Sequence, residues 1–219
     1  MTRCLTIDPQ CPDPVVIAEA VTVLQQGGVL AYPTDTVYGL AVDVWQPEAI
    51  ARLYAVKGRP AAKALPVIIG ALTQLTQLVT SLSVNAQRLI EVFWPGPLTL
   101  LLSPHESVPP GLLGDSDRIG IRWPNSMLNQ QLALGVGGAI TASSANRSGV
   151  PVALSAAEVV AQLAPSLDLI LDGGPVTNPE VSTILDVTGD LPCLLRAGRI
   201  SVPAIEAVLG TRIRVGTAT

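Results

Sequence analysis

The chain has 219 residues, 48% of them hydrophobic, with 13 Lys plus Arg against 17 Asp plus Glu for a net charge of −4. That length buries a full core, the acidic balance argues against binding nucleic acid through a broad basic face, and no apolar run approaches the roughly 18 residues of a membrane span. A lone histidine, His105, excludes a multi-histidine metal site, and Cys4, Cys11 and Cys193 form no CxxC pair.

The N-terminal "MTRCLTIDPQCPD" lacks the apolar stretch of a signal peptide, so a cytoplasmic protein is expected. Asp13 and Pro14 open a helix with Val16, Ile17, Ala20 and Leu24 on one face, and Gly27-Gly28 close it. "VLAY" and "VYGLAVD" read as strands on either side of the turn "PTDT". "PEAIARLYAVKG" is a second helix, with Glu48 in its first turn and Lys57 and Gly58 at its end, as the helix dipole favours. The apolar runs "LPVIIG", "LTLLL", "IGIR", "AITA", "DLILD", "STILDV" and "CLLR" have strand length and are bounded mostly by Gly, Pro or Asn. Between them, helices are expected over about 84–93, 126–134 and 156–163, the last opened by a Ser155/Glu158 capping box. "SVPAIEAVLG" reads as a final helix.

The Gly/Pro-rich stretch 104–114, which holds His105, reads as an exposed loop and a candidate lid, and the three thiols as buried small hydrophobes. Alternating helices and strands indicate an α/β fold with a mixed, mostly buried sheet. With no repeat or linker, a single domain over 1–219 with its core at about 13–210 and no second C-terminal domain is expected.

The stretch "RLYAVKGRPAAK" carries Arg52, Lys57, Arg59 and Lys63, and no Asp or Glu occurs between positions 49 and 90. One reading is a helix C-terminus whose cations offset the dipole. The other is a focused positive field, with a planar fork and a point charge suited to polyphosphate. No GxxxxGK[ST] or GxGxxG motif is present, so a phosphate site must be built from side chains and polar turns. In "ASSANRSG", Ser144 and Asn146 fall on the same side of a strand end, where they either cap a turn or serve one ligand. Arg122 ends "IGIR" and Arg196 ends "CLLR", placing two forks at a sheet rim, where α/β proteins bind ligands.

In order, "AYPTDTVYGLAVD", "YAVKGRPAAKALPV", "FWPGPLTLLL", "IGIRWP", "ITASSANRSG", "LDGG" and "STILDV…LLRAGRI" resemble the threonylcarbamoyl-AMP synthase family, with its YrdC-type fold. The KxR and SxN pairs, here Lys57 and Arg59 with Ser144 and Asn146, are that family's signature. The resemblance implies a short, single-domain YrdC-like protein with a twisted mixed sheet and flanking helices. It implies condensation of L-threonine, bicarbonate and ATP into threonylcarbamoyl-adenylate and pyrophosphate. Partner proteins would then transfer the threonylcarbamoyl group to tRNAs reading codons that begin with A, with tRNA itself bound weakly or indirectly. Residue by residue, it implies Lys57, Arg59, Lys63, Ser144, Asn146 and Arg196 at ATP, with Lys57 and Arg59 catalytic. Thr34, Thr36, Arg122 and Ser182 fall to threonine, and magnesium would enter on the ATP phosphates without protein side-chain ligands. The chain departs from the family at Ala64, where Pro often follows the second lysine, and at Val181, where Glu often precedes "ST". The alternatives are a carbamoyl-adenylate-forming relative, and a double-stranded-RNA or nucleotide-binding module without this activity.

Overall fold

The computed structural model describes residues 2–177 and 181–216. The chain runs through β1 (Arg3–Thr6), α1 (Pro14–Gln25), β2 (Leu30–Pro33), β3 (Tyr38–Ala41), α2 (Pro47–Lys57) and β4 (Val67–Ile69). A 3-10 turn precedes α3 (Leu75–Leu78), α4 (Val84–Phe93), β5 (Leu98–Leu102), α5 (Pro110–Leu113), β6 (Ile119–Arg122), α6 (Met127–Gly135) and β7 (Ala139–Thr141). The rest comprises β8 (Ser143–Ser144), α7 (Ala156–Leu163), β9 (Leu169–Asp172), β10 (Thr183–Asp186), β11 (Cys193–Arg196), α8 (Val202–Leu209) and β12 (Arg214–Val215).

Helix ends follow the local chemistry. The Asp13 carboxylate accepts from the amide of Val15 at 2.8 Å and Pro14 takes the first helical position. Gly58 turns the chain out of α2 at φ +57°, a left-handed conformation that costs glycine little. At α7 the Ser155 hydroxyl caps Glu158, whose carboxylate accepts from Leu154, one residue upstream of a standard capping box.

The expected α/β alternation is present, and the strands divide between two sheets. One has the order β1-β9-β2-β3-β8 and the other β12-β11-β10-β5-β6-β4-β7, both mixing parallel and antiparallel pairs. The chain steps from one sheet to the other between β7 and β8, with only Ala142 between the two strands. Thr141 ties this seam: its fully buried hydroxyl donates to Leu40 O at 2.9 Å and accepts from Val42 N at 3.1 Å. Two apolar clusters fill the layers between sheets and helices, one around Leu53, Val67 and Leu100, the other around Leu24, Leu30 and Ile140. Each such Leu or Ile side chain contributes about 1.5–3 kcal/mol by leaving water.

Three expectations change. The stretch 104–114 is exposed at Glu106, Ser107, Pro110 and Gly111, as expected of a loop, but it is anchored at other points. It contains α5, Leu112 is fully buried, and Pro104 and Gly114 bridge Val79 and Lys63. Cys4 and Cys11 are exposed and only Cys193 is partly covered, because β1 and the segment after it lie at the surface. The β1 and β12 edge strands carry no clear period-two apolar pattern and were not expected from the sequence.

Candidate functional site

The four cations of the basic stretch meet different fates. Arg52 is held by Asp168, at 2.8 and 3.0 Å through two pairs of atoms, so its counter-charge comes from 116 residues away. Lys57, by contrast, is 3% exposed, and among the described residues it pairs with no carboxylate. Its Nζ donates to Ser144 O, to Asn146 O at 2.9 Å and to Asn146 Oδ1 at 3.4 Å, which engages all three protons. Its backbone carbonyl accepts from Ser148 N at 2.8 Å. Burial pulls the Lys57 ammonium down to a pKa of about 8, and repulsion from Arg59 adds to the shift.

The turn that Lys57 grips is internally stapled. Ser144 Oγ donates to Asn146 Oδ1 at 2.5 Å, and Asn146 Nδ2 donates to Arg147 O and Val150 O at 3.0 and 2.6 Å. Lys57, Ser144 and Asn146, far apart in sequence, thus form one unit. Arg59 lies just outside it and donates to Lys63 O at 3.3 Å and Ala64 O at 2.9 Å. Lys63 is exposed, and the Tyr54 hydroxyl, 2.8 Å from its carbonyl, steadies its backbone.

A second cluster forms at the ends of β6, β10 and β11. Arg122, 6% exposed at the end of β6, donates through Nε to Gly96 O at 3.0 Å and pairs through a terminal nitrogen with Asp35 Oδ2. Arg196, at the end of β11, donates through Nε to Ser182 O at 3.0 Å and through a terminal nitrogen to Ser182 Oγ at 2.8 Å. That hydroxyl also lies 3.0 Å from Thr99 Oγ1. Burial lowers the pKa of Arg196, with the charge of Arg122 as a second cause, so the two guanidiniums share one electrostatic neighbourhood. Ser182 and Arg196, assigned from the resemblance to different ligands, therefore touch each other.

The segment 33–39 connects the clusters. Thr34 Oγ1 accepts from the amides of Thr36 and Val37 at 3.1 and 3.2 Å and donates to Val37 O at 2.6 Å, so this hydroxyl builds the turn. The buried Thr36 hydroxyl has Thr34 Oγ1, 3.0 Å away, as its partner. Asp35 at the turn pairs with Arg122, while Gly39 in β3 pairs with Ser144 in β8. A side chain at Gly39 would crowd the Tyr32 ring and Thr34 Cγ2, at 3.1 and 3.2 Å from its Cβ.

Asp35, Thr99 and Asp168 are the residues that sequence reasoning did not single out. Asp35 had a signal, being the one carboxylate inside "PTDT", and Thr99 is the polar exception in "LTLLL". Two concavities of the described surface lie elsewhere, beside Trp45 and His105 (about 450 Å³) and beside Arg118, Cys193 and Arg214 (about 310 Å³). Convergent polar groups define the candidate site.

The fold and these clusters define an α/β protein that gathers cations and hydroxyl groups at strand ends and polar turns, a surface suited to anionic ligands. The chain belongs to the Sua5/YciO/YrdC family, whose family model, described as "Telomere recombination", matches residues 22–198. A curated relative from Bacillus subtilis, named threonylcarbamoyl-AMP synthase, is 37% identical over 94% of this chain and 58% of its own length. One of the same name from Pyrococcus abyssi is 36% identical over 85% of this chain and 55% of its own. The chain thus spans little more than half the length of these two curated relatives. The crystal structure of P. abyssi Sua5 complexed with L-threonine superposes with a TM-score of 0.93 at 34% identity, covering 98% of this chain and 63% of that one.

Proposed function

We propose that the protein joins L-threonine, bicarbonate and ATP into threonylcarbamoyl-adenylate, releasing pyrophosphate, as a nucleotidyltransferase. The observation that carries this reading is the pairing of two unlike clusters across one short segment. Lys57 with the 144–146 turn meets β3 through Ser144, and Arg122 with Arg196 and Ser182 meets the same hairpin through Asp35. The names of the relatives and the threonine complex of P. abyssi Sua5 support the same assignment.

In this reading ATP lies along Lys57, Arg59, Lys63, Ser144 and Asn146. Arg59 and Lys63 offer charge to the phosphates, and Lys57 supplies a buried positive charge while fixing the turn. Arg122 takes the threonine carboxylate with its fork. Ser182 and Thr36 contribute hydroxyls, Thr34 shapes the turn, and Arg196 stands where the two ligands meet. Bicarbonate loses water to give carbon dioxide, threonine's neutral amine adds to it and releases a proton to solvent, and a carbamate oxygen then attacks the α-phosphorus as its bond to pyrophosphate breaks. Positioning and charge neutralisation carry such a transfer, and no protein nucleophile is required. Magnesium would come bound to the triphosphate, whose charge it helps neutralise. The side chains of the nucleotide cluster are cations, a hydroxyl and an amide, which suit phosphate oxygens rather than a divalent ion.

The product is a labile adenylate, so a partner protein would receive it and modify tRNA, placing the reaction in the cytoplasm. Among the described residues no helix is long and apolar enough to cross a membrane. The test is pyrophosphate release by the purified protein with ATP. It should require both L-threonine and bicarbonate and yield threonylcarbamoyl-adenylate by mass. Release with carbamoyl phosphate in place of threonine and bicarbonate would move the assignment to a carbamoyl-adenylate chemistry.

A further inference from the structure

Ser182 stands between two side chains that approach the same oxygen. It immediately precedes β10, and the strands on either side bring Arg196 from β11 and Thr99 from β5. Arg196 is pinned to it twice, donating through Nε to Ser182 O at 3.0 Å and through a terminal nitrogen to Ser182 Oγ at 2.8 Å. Thr99 Oγ1 lies 3.0 Å from that same Oγ. Thr183, the next residue, cannot take the place of Thr99. Its hydroxyl donates to Ile200 O at 2.9 Å and accepts from Ile200 N at 3.0 Å, which locks it to the segment after β11.

The direction of the Thr99–Ser182 bond follows from counting protons. A hydroxyl has one proton to donate and two lone pairs with which to accept. Thr99 is 4% exposed, and among the described residues Ser182 Oγ is the hydrogen-bond partner of its hydroxyl. Were Ser182 the donor, the Thr99 proton would be buried without an acceptor, a costly state. The Thr99 hydroxyl therefore donates, and together with Arg196 it occupies both lone pairs of Ser182 Oγ. What remains to Ser182 is its own proton, and two donors directed at the oxygen polarise that O–H bond and strengthen it as a donor. The same count explains why β5, otherwise all leucine, carries one threonine where valine would fill a similar volume.

We propose that Thr99 is a positioning residue for the reaction: by donating to Ser182 Oγ it holds Ser182 as a dedicated hydrogen-bond donor toward an acceptor oxygen of the amino-acid substrate. The inference rests on the placement of Ser182 at threonine given above. It adds to that placement the direction of the hydrogen bond and the buried residue that sets it.

Pyrophosphate release with threonine and ATP varied in turn tests it on wild type, Thr99→Val, Thr99→Ser, Ser182→Ala and the double variant Thr99→Val/Ser182→Ala. Thr99→Val keeps the shape and loses the donor. The loss of one neutral hydrogen bond corresponds to about 3–10-fold, so KM for threonine should rise by that factor while KM for ATP stays within about twofold. Thr99→Ser keeps the hydroxyl and should return threonine KM to within about twofold of wild type. In the Ser182→Ala background, Thr99→Val should produce no further rise, because the hydroxyl through which Thr99 acts is gone. A rise that persists in that background, or that Thr99→Ser fails to rescue, would make Thr99 a packing residue and overturn the proposal. An unchanged threonine KM in Thr99→Val overturns it as well. If wild type shows no threonine-dependent release, the threonine reading itself falls, an outcome distinct from the loss of Thr99's role alone.

Discussion

Lys57 and Arg122 are both nearly buried cations at the ends of regular elements, yet the protein neutralises them in opposite ways. Arg122 closes β6 against a carboxylate, Asp35, and a single carbonyl. Among the described residues Lys57 closes α2 against carbonyl and amide oxygens, with no carboxylate partner and Arg59 adding repulsion. Carbonyl dipoles satisfy every donor of an ammonium without cancelling its charge, so Lys57 keeps an uncompensated field and a pKa drawn down to about 8. The ion pair cancels charge but occupies only part of the guanidinium fork. The first arrangement suits a highly charged ligand that is attracted by the field; the second suits a small ligand that completes a set of directional bonds.

The largest expected effect comes from breaking the ion pair. Arg122→Met leaves the Asp35 carboxylate in a low-dielectric site without its cation and should lower stability by about 3–5 kcal/mol, read as a reduced urea midpoint. Since the Asp35 side chain retains 21% exposure, a value near the lower limit is expected. A loss under about 1 kcal/mol would mean that the pair behaves as a surface contact, and the contrast with Lys57 would lose its physical basis.

Lys57→Met gives an intermediate effect that depends on pH. The folded protein holds the Lys57 proton with a pKa of about 8 against an ordinary value of 10.5, so above pH 8 the unfolded chain binds more protons than the folded one. Wild-type stability should therefore gain from this group as pH rises from about 8 toward 10.5, while the ammonium charge offered to a ligand is lost. The difference between wild type and Lys57→Met in urea unfolding should move in favour of wild type by about 2 kcal/mol between about pH 8 and pH 9.5. Both share the pull of Tyr38, whose burial raises its hydroxyl to about 12, so that contribution cancels. A difference that stays flat over this range would show the amine to be solvated rather than gripped by the 144–146 turn.

The smallest effect belongs to Arg52. Its pair with Asp168 is bidentate but exposed, so Arg52→Ala should cost less than about 1 kcal/mol and leave ATP-dependent turnover unchanged. A marked loss of turnover would return Arg52 to the phosphate site and undo the division of the basic stretch.

Much of the fold was legible because its elements carry their own punctuation: Asp13-Pro14 and Pro47 begin helices, Gly58 and Gly210 end them, and apolar runs mark the inner strands. The edge strands β1 and β12 were not, since they are set by pairing with β9 and β11 rather than by a local apolar pattern. At the site, Lys57, Ser144, Asn146, Arg122, Arg196 and Ser182 were all picked out, and the structure joins them into two clusters. What the sequence hid was the counter-charge. No acid lies near Arg52 or Lys57 on the C-terminal side of the chain, whereas Asp168 and Asp35 reach Arg52 and Arg122 from other strands and turns. In the loop 104–114, the Gly and Pro residues mark the exposed turns but say nothing of Val108 and Leu112 lying in the core.

The proposed division of the site between a nucleotide end and an amino-acid end is most directly tested by titrating ATP and L-threonine separately into Arg59→Ala and Arg122→Lys. Arg59→Ala should lose about 10–100-fold in ATP affinity, the equivalent of one charge-assisted contact, and bind threonine within about threefold of wild type. Arg122→Lys, which keeps the charge but not the fork, should show the reverse. If Arg122→Lys abolished ATP binding and left threonine binding intact, the two clusters would not have the separate roles assigned to them.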